Sequence, residues 1–241
     1  MTTLNILSGG AAQGLVKSLA PDFKAKTGLD IGGEFGAVGA MADQLRAGRP
    51  TDVVVLTQAL VGTLTQERLV EPATVKNVGV VETALAVRTN DAKVSALDQA
   101  SLREALLTAD AIYVPDIKTS TAGIHVARVL DALGINGEVE SRLKIYPNGA
   151  TAMRHLAESP AGRPIGCTQS TEIISTPGVR LSGALPLGSE LATMYTAAIT
   201  VGAARSREAQ ILVDLLTAAD HRDLRGRAGF LEPVPWSRHS G

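Results

Sequence analysis

Apolar positions along this chain switch repeatedly between strand spacing and helix spacing. Leu4, Ile6 and Leu7 suit a short buried strand, Ser8-Gly9-Gly10-Ala11-Ala12 keeps the backbone bare, and Leu15, Leu19 and Phe23 recur at helical spacing. A helix that starts behind a glycine pair aims free N–H groups and a partial positive charge at the space above the sheet. That is an anion seat if the space is a cleft, and a plain tight connection if it is not. Comparable turns of small residues return at Gly36-Ala37-Val38-Gly39-Ala40, at 115–123 and at Pro147-Asn148-Gly149-Ala150-Thr151.

Between these turns the pattern is β-α-β. Lys26-Thr27-Gly28 reads as a helix stop, residues 30–35 as a second strand, and Met41 and Leu45 as the face of a second helix. Asp52-Val53-Val54-Val55-Leu56 is an unbroken β-branched run, which belongs to a strand covered on both faces. Leu60 and Leu64 continue as a short helix, and residues 79–87 as a longer extended segment. Ser101 with Glu104 three residues on reads as a capping box that opens a helix to Leu107. A strand over 111–114 follows, then a helix with Val126, Val129, Leu130 and Leu133 on one face that stops at Gly134. Next come a strand over 143–146, a helix through Met153 and Leu156, and a strand over 164–167 that runs into a polar turn, Thr168-Gln169-Ser170-Thr171-Glu172. Residues 194–201 are extended again, residues 206–219 form the final amphipathic helix, and the tail with Pro233, Pro235 and Trp236 reads as irregular.

This order predicts an α/β protein of two doubly wound lobes, residues 1–84 plus 196–241 and residues 85–195. Two extended crossings, near 80–88 and 192–200, would join them around a hinge-closing cleft. Composition narrows the function without naming it. The 23 basic and 24 acidic residues leave a net charge of −1, with no long basic run, so nucleic acid is not an expected partner. Aromatic residues make up 3% of the chain, too few for a stacking platform. The lone Cys167 excludes an internal disulfide and a cysteine-based zinc site. No apolar run is long enough to cross a membrane, and Met1-Thr2-Thr3 leads straight into the first strand. The expected location is cytoplasmic, or periplasmic with a transporter permease as partner if a leader has been removed.

Three stretches resemble the molybdate-binding proteins of the type 2 periplasmic-binding class: LRAGRPTDVVVLT at 45–57, PDIKTSTAGIHVARVLDALGI at 115–135 and ILVDLLTAADHRDLRGRAGF at 211–230. The resemblance implies that class's two-lobed fold. In those proteins two serines, an alanine, a valine and a tyrosine ring the oxyanion. By this correspondence the first serine falls at Ala11, the second near Ala37 or Val38, the alanine at Ala122 and the tyrosine near Gln169. Both serines and the tyrosine are absent. Each lost donor in a dry site costs about 1–3 kcal/mol, so molybdate is disfavoured.

What remains is a set of polar groups on turns: Ser8, Thr119, Ser120, Thr121, Asn148, Thr151, Thr168, Gln169, Ser170 and Glu172, with Gly10 leaving room for close approach. Hydroxyls and amides converging from two lobes suit a small anion, most naturally a di- or tricarboxylate. His125, four residues into its helix, is the first candidate acid or base and Glu172 the second; the alternatives are a surface or core histidine and the ordinary polar content of turns. Lys118 and Arg154 could supply cations, or be solvated surface charges. Cys167 is a nucleophile without a partner at any recognisable spacing, or a buried structural thiol. No metal-ligand cluster, phosphate loop or strong catalytic motif is visible, so no metal or other cofactor is expected. Two function classes stay open: a substrate-binding protein, and a cofactor-independent isomerase. The molybdate-binder-like group includes aconitate isomerases, which move a proton and a double bond within a tricarboxylate. A third, a ligand sensor, would need a partner domain.

Overall fold

The first strand, β1 (Thr3–Gly9), is buried along nearly its whole length and anchors the sheet of the first lobe. The structure, a computed structural model, describes residues 3–232; the predicted irregular tail from Pro233 lies outside the described residues. A single 3-10 turn, Gly10–Ala12, connects β1 to α1 (Gln13–Thr27), whose buried face is Leu15, Val16, Leu19 and Phe23. Helix α1 ends at Gly28, in the left-handed conformation that glycine adopts without a Cβ clash. Then follow β2 (Asp30–Gly36), α2 (Val38–Arg46), β3 (Val53–Thr57), α3 (Gln58–Gln66) and the long β4 (Lys76–Arg88). Strand β1 lies between β2 and β3 with parallel pairing to both. Val53, Val54, Val55 and Leu56 are fully buried, as a strand covered on both faces requires.

The second lobe contains α4 (Gln99–Thr108), β5 (Ala111–Pro115), α5 (Thr121–Ala132), α6 (Asn136–Val139), β6 (Leu143–Tyr146), α7 (Gly149–Ala157), β7 (Pro164–Gln169), α8 (Ser170–Ile174) and β8 (Val179–Ala184). The chain returns through β9 (Ala192–Ile199) and closes with α9 (Ser206–Thr217) and α10 (Arg222–Arg227). The strand order is β2-β1-β3-β9-β4-β7-β5-β6, with β8 on the other edge of β4.

Strand β4 is the spine shared by both lobes. Its first part, Lys76 to Glu82, pairs antiparallel with β9; its second part, Thr83 to Arg88, pairs antiparallel with β7 and β8. The return passage runs beside it, since Thr83 N–H donates to the Leu191 carbonyl at 2.9 Å. The extended segment at 192–200 contains strand β9, which follows directly on this contact and pairs with the first part of β4. One core cluster draws its buried residues from 4–81 and 195–230, and two others draw theirs from 84–185.

Several local readings are corrected. Helix α4 starts earlier than expected: Asp98 is its N-cap and Ser101 is the third helical residue, the two side chains reciprocally capping each other's backbone. Strand β8 and helix α10 were not expected. The polar stretch at 168–172 is no turn. It is the end of β7 and the start of α8, and all five of its residues are buried.

Candidate functional site

A small chamber of about 10 Å3, space for about one water-sized group, lies between the lobes and is lined from both sides. The first lobe supplies Gly10, Gly36, Ala37, Val38 and Tyr195; the second supplies Ser120, Thr121, Asn148, Gln169 and Glu172. Three helices of nine residues or more start at its wall. Helix α7 is capped by Asn148, whose side-chain oxygen accepts from Thr151 N–H at 2.8 Å. The N-caps of α2 and α5 are Ala37 and Ser120, and neither makes a side-chain cap hydrogen bond. The first-turn N–H groups of α2 and α5 therefore remain available to a negative group.

The N-terminus of α7 is already in use by the protein's own carboxyl. Glu172, 5% exposed, accepts from the Thr168 hydroxyl at 2.6 Å, and the backbone N–H groups of Ala150, Gln169 and Gly149 also bond its carboxyl. Burial pushes its pKa above the usual carboxylate range, with these hydrogen bonds opposing the shift. The carboxyl is so tightly held that a Cβ on Gly149 would collide with Glu172 Oε2 and Thr168 Oγ1, and one on Gly10 with Glu172 Oε1. Both glycines are required by close approach, since both lie in ordinary backbone regions.

Beside the glutamate, the Tyr195 hydroxyl donates to Gln169 Oε1 at 2.7 Å. Its pKa is raised by burial and by the nearby Glu172, so it is a neutral donor at working pH. The other end of the same amide, Gln169 Nε2, is buried without a hydrogen-bond partner. A donor orphaned in a chamber wall marks a place where an acceptor is missing.

A larger cleft of about 700 Å3 opens next to the chamber and shares Gly10 and Asn148 with it. Lys17 and Arg227 from the first lobe and Arg154 from the second line this mouth, with Gln13 and Thr151. A third hollow shares Gly36, Ala37 and Asn148 with the chamber; Phe35, Met41, Ile145 and Tyr146 make it largely apolar, and Asp116 is its one charged residue.

The structure gathers Gly10, Ala37, Val38, Thr121, Asn148, Gln169 and Glu172 around the chamber and puts Thr151 and Arg154 in the basic mouth. It does not bring Ser8, Ala11, Ala122 or His125 there. Ser8 is fully buried in β1 and its hydroxyl donates to Gly9 O at 2.9 Å. Ala11 and Ala122 are buried in the first turns behind the cleft wall and line none of the three hollows. The His125 ring binds the other way, with Nε2 2.8 Å from the Ser189 carbonyl on the return passage. It holds α5 to that passage and lines none of the three hollows. Lys118 lines none of these hollows, and Cys167 is buried with its thiol pushed up to about 12, an inert core group.

Sequence reasoning missed Tyr195, Lys17 and Arg227. Lys17 stands four residues after Gln13, so the two share a face of α1 opposite Leu15 and Leu19, a signal that was readable. Tyr195 restores a tyrosine hydroxyl beside Gln169, from β9 instead of β7. Among the described residues no cluster of His, Cys, Asp and Glu could hold a metal, and no helix is long and apolar enough to cross a membrane.

The family model described as bacterial extracellular solute-binding protein matches residues 4–231. This chain belongs to that family. It is 24% identical to an aconitate isomerase from a Pseudomonas species, over 98% of this chain and 89% of that protein. It is 21% identical to the molybdate-binding protein ModA of Escherichia coli K12, over 94% and 88% of the two chains. The solved periplasmic molybdate-binding protein of Azotobacter vinelandii superposes with a TM-score of 0.80 at 17% identity, covering 96% of this chain and all of that one. The fold is the type 2 periplasmic-binding fold, and the resemblance to molybdate-binding proteins read from 45–57, 115–135 and 211–230 holds along the whole chain. A solute-binding protein of this class holds a small ligand between its lobes, which is where the chamber lies.

Proposed function

We propose that the solute is a small carboxylate, one carboxylate group of which sits in the chamber. The observation that carries this reading is the orphaned Gln169 Nε2, whose residue lines the same chamber as the open N-termini of α2 and α5. A planar carboxylate can take one bond from that amide and others from backbone N–H groups, relieving a desolvation cost of about 1–3 kcal/mol. Molybdate fits less well. A tetrahedral dianion needs donors on every side, and here one wall is Glu172, an acid group whose ionised form repels it. Calorimetric titration with a panel of carboxylates and with molybdate tests the reading. At least one carboxylate should bind and raise the melting temperature, and Gln169→Leu should weaken it about tenfold. No response to any carboxylate, or unchanged affinity in the folded variant, would overturn it.

A second reading is favoured by Glu172 itself. A buried carboxyl with a raised pKa beside a carboxylate seat can act as an acid or base on a neighbouring C–H. That chemistry suits an isomerase of the aconitate type, in which a proton leaves the carbon on one side of a double bond and is returned at the far end. The likeness to the Pseudomonas aconitate isomerase supports it. Incubation with trans-aconitate, followed by proton NMR in D2O, would reveal interconversion and solvent exchange; Glu172→Gln should abolish both. The two readings differ in partner and place. A binding role calls for a transporter permease and a periplasmic location, whereas the isomerase needs neither and keeps the cytoplasmic expectation.

A further inference from the structure

We propose that the basic mouth is a second anion subsite, so that the ligand is a polyanion with one carboxylate in the chamber and a further anionic group held by Lys17, Arg154 and Arg227. This inference rests on the carboxylate reading of the chamber and names the class of carboxylate.

Three observations carry it. The chamber, at about 10 Å3, is far below the usual size of a whole-ligand site and has room for one small group at most, so the rest of any ligand must leave it. One exit is through the mouth, which shares Gly10 and Asn148 with the chamber. That mouth is lined by three cations and no carboxylate, in a chain whose acidic residues outnumber its basic ones by 24 to 23. Among the described residues none of the three enters a salt bridge, although Arg46, Arg49, Arg88 and Arg103 all do; Arg154 bonds only the Thr151 hydroxyl, at 3.0 Å.

The cations come from α1, α7 and α10, hence from both lobes. A bridging anion would draw Arg154 toward Lys17 and Arg227 and so favour closure, whereas three uncompensated positive charges oppose it. The second anionic group can be a carboxylate or a phosphate, since both accept from guanidinium and ammonium groups. The other hollow that adjoins the chamber, lined by Ile145, Tyr146 and Asp116, would instead favour an apolar monocarboxylate.

The test is calorimetric titration at 20 mM and 200 mM salt with four probes: crotonate, cinnamate, trans-aconitate and phosphoenolpyruvate. The wild-type protein and the triple variant Lys17→Gln, Arg154→Gln, Arg227→Gln are compared; all three positions are exposed, so folding is kept. Trans-aconitate or phosphoenolpyruvate should bind at least tenfold more tightly than crotonate at low salt, and whichever is tighter identifies the second group. High salt should reduce that preference, and the triple variant should lose it while crotonate affinity stays the same. Each exposed cation is expected to contribute about two- to fivefold. Equal affinity for mono- and polyanions, tighter binding of cinnamate, or a preference that survives the triple substitution would overturn the subsite while leaving the chamber reading intact. If no probe binds at all, the chamber reading falls with it.

Discussion

Glu172→Gln should change how the stability of this protein depends on pH, and by a calculable amount. Glu172 is 5% exposed, and burial outweighs the hydrogen bonds from the Thr168 hydroxyl and from the N–H groups of Ala150, Gln169 and Gly149. Its folded pKa therefore lies above the usual glutamate value of about 4.3 that the unfolded chain retains. Below that unfolded value both states are protonated, and the stabilising effect of the raised pKa is fully present. As pH rises toward the folded pKa, the unfolded chain releases its proton first. Stability then falls by up to about 1.4 kcal/mol for each pH unit. Above the folded pKa the loss is complete and the curve is level again.

Glutamine at 172 has nearly the same shape and no proton to lose. It adds a fixed offset, because its NH2 replaces one accepting oxygen, but it has no slope of its own. The depressed carboxylates Glu34, Asp98, Asp116, Asp214 and Glu232 titrate in the opposite sense and are common to both proteins. Subtracting the variant's unfolding free energy from that of the wild type, measured in urea at half-unit steps from pH 4 to pH 9, isolates Glu172. The difference should fall with rising pH from about 4.3 and then level off. A flat difference, or one that rises with pH, would mean that the carboxyl is not buried as described and that its pKa is not raised.

Molybdate should not bind with submicromolar affinity; calorimetry giving such a value would show that backbone N–H groups suffice beside Glu172. His125→Gln should leave any aconitate turnover within a few-fold of wild type and cost about 0.5–1.5 kcal/mol in urea unfolding, the scale of its one contact with Ser189 O. Gly149→Ala should abolish carboxylate-induced thermal stabilisation, because the new methyl displaces the Glu172 and Thr168 side chains that wall the chamber. Gly123→Ala should destabilise by more than about 2 kcal/mol, since its methyl meets the backbone carbonyls of Asp116 and Pro115, which cannot swing aside as a side chain can.

What could be read in advance follows from where each signal is stored. Val53 to Thr57 was legible because a strand buried on both faces must be apolar throughout, and that pattern is local. The cap of α4 was misread because a serine satisfies the motif equally as cap or as third helical residue; only the reciprocal bonds with Asp98 decide. Strand β8 alternates only over Val179-Arg180-Leu181-Ser182 before Gly183, too short a signal to declare it alone, and the edge of β4 offers it a ladder.

The stretch 168–172 failed for a deeper reason. Its composition is that of a solvated turn, yet its polar groups are paid for by partners far along the chain, such as Tyr195 for Gln169. The same distance hid the mouth. Lys17, Arg154 and Arg227 are three cations among 23, each alone on an exposed helix face, and their meaning arises only where α1, α7 and α10 converge. The helix N-termini were readable because the glycine that permits close approach and the helix that follows are neighbours in sequence. The proposed site thus splits into a part specified by local backbone, the candidate anion seats of α2 and α5, and a part specified only by folding, the three charges proposed to choose among anions. Local sequence can propose that an anion binds; the proposed selection among anions rests on residues more than 60 positions apart that line one cleft.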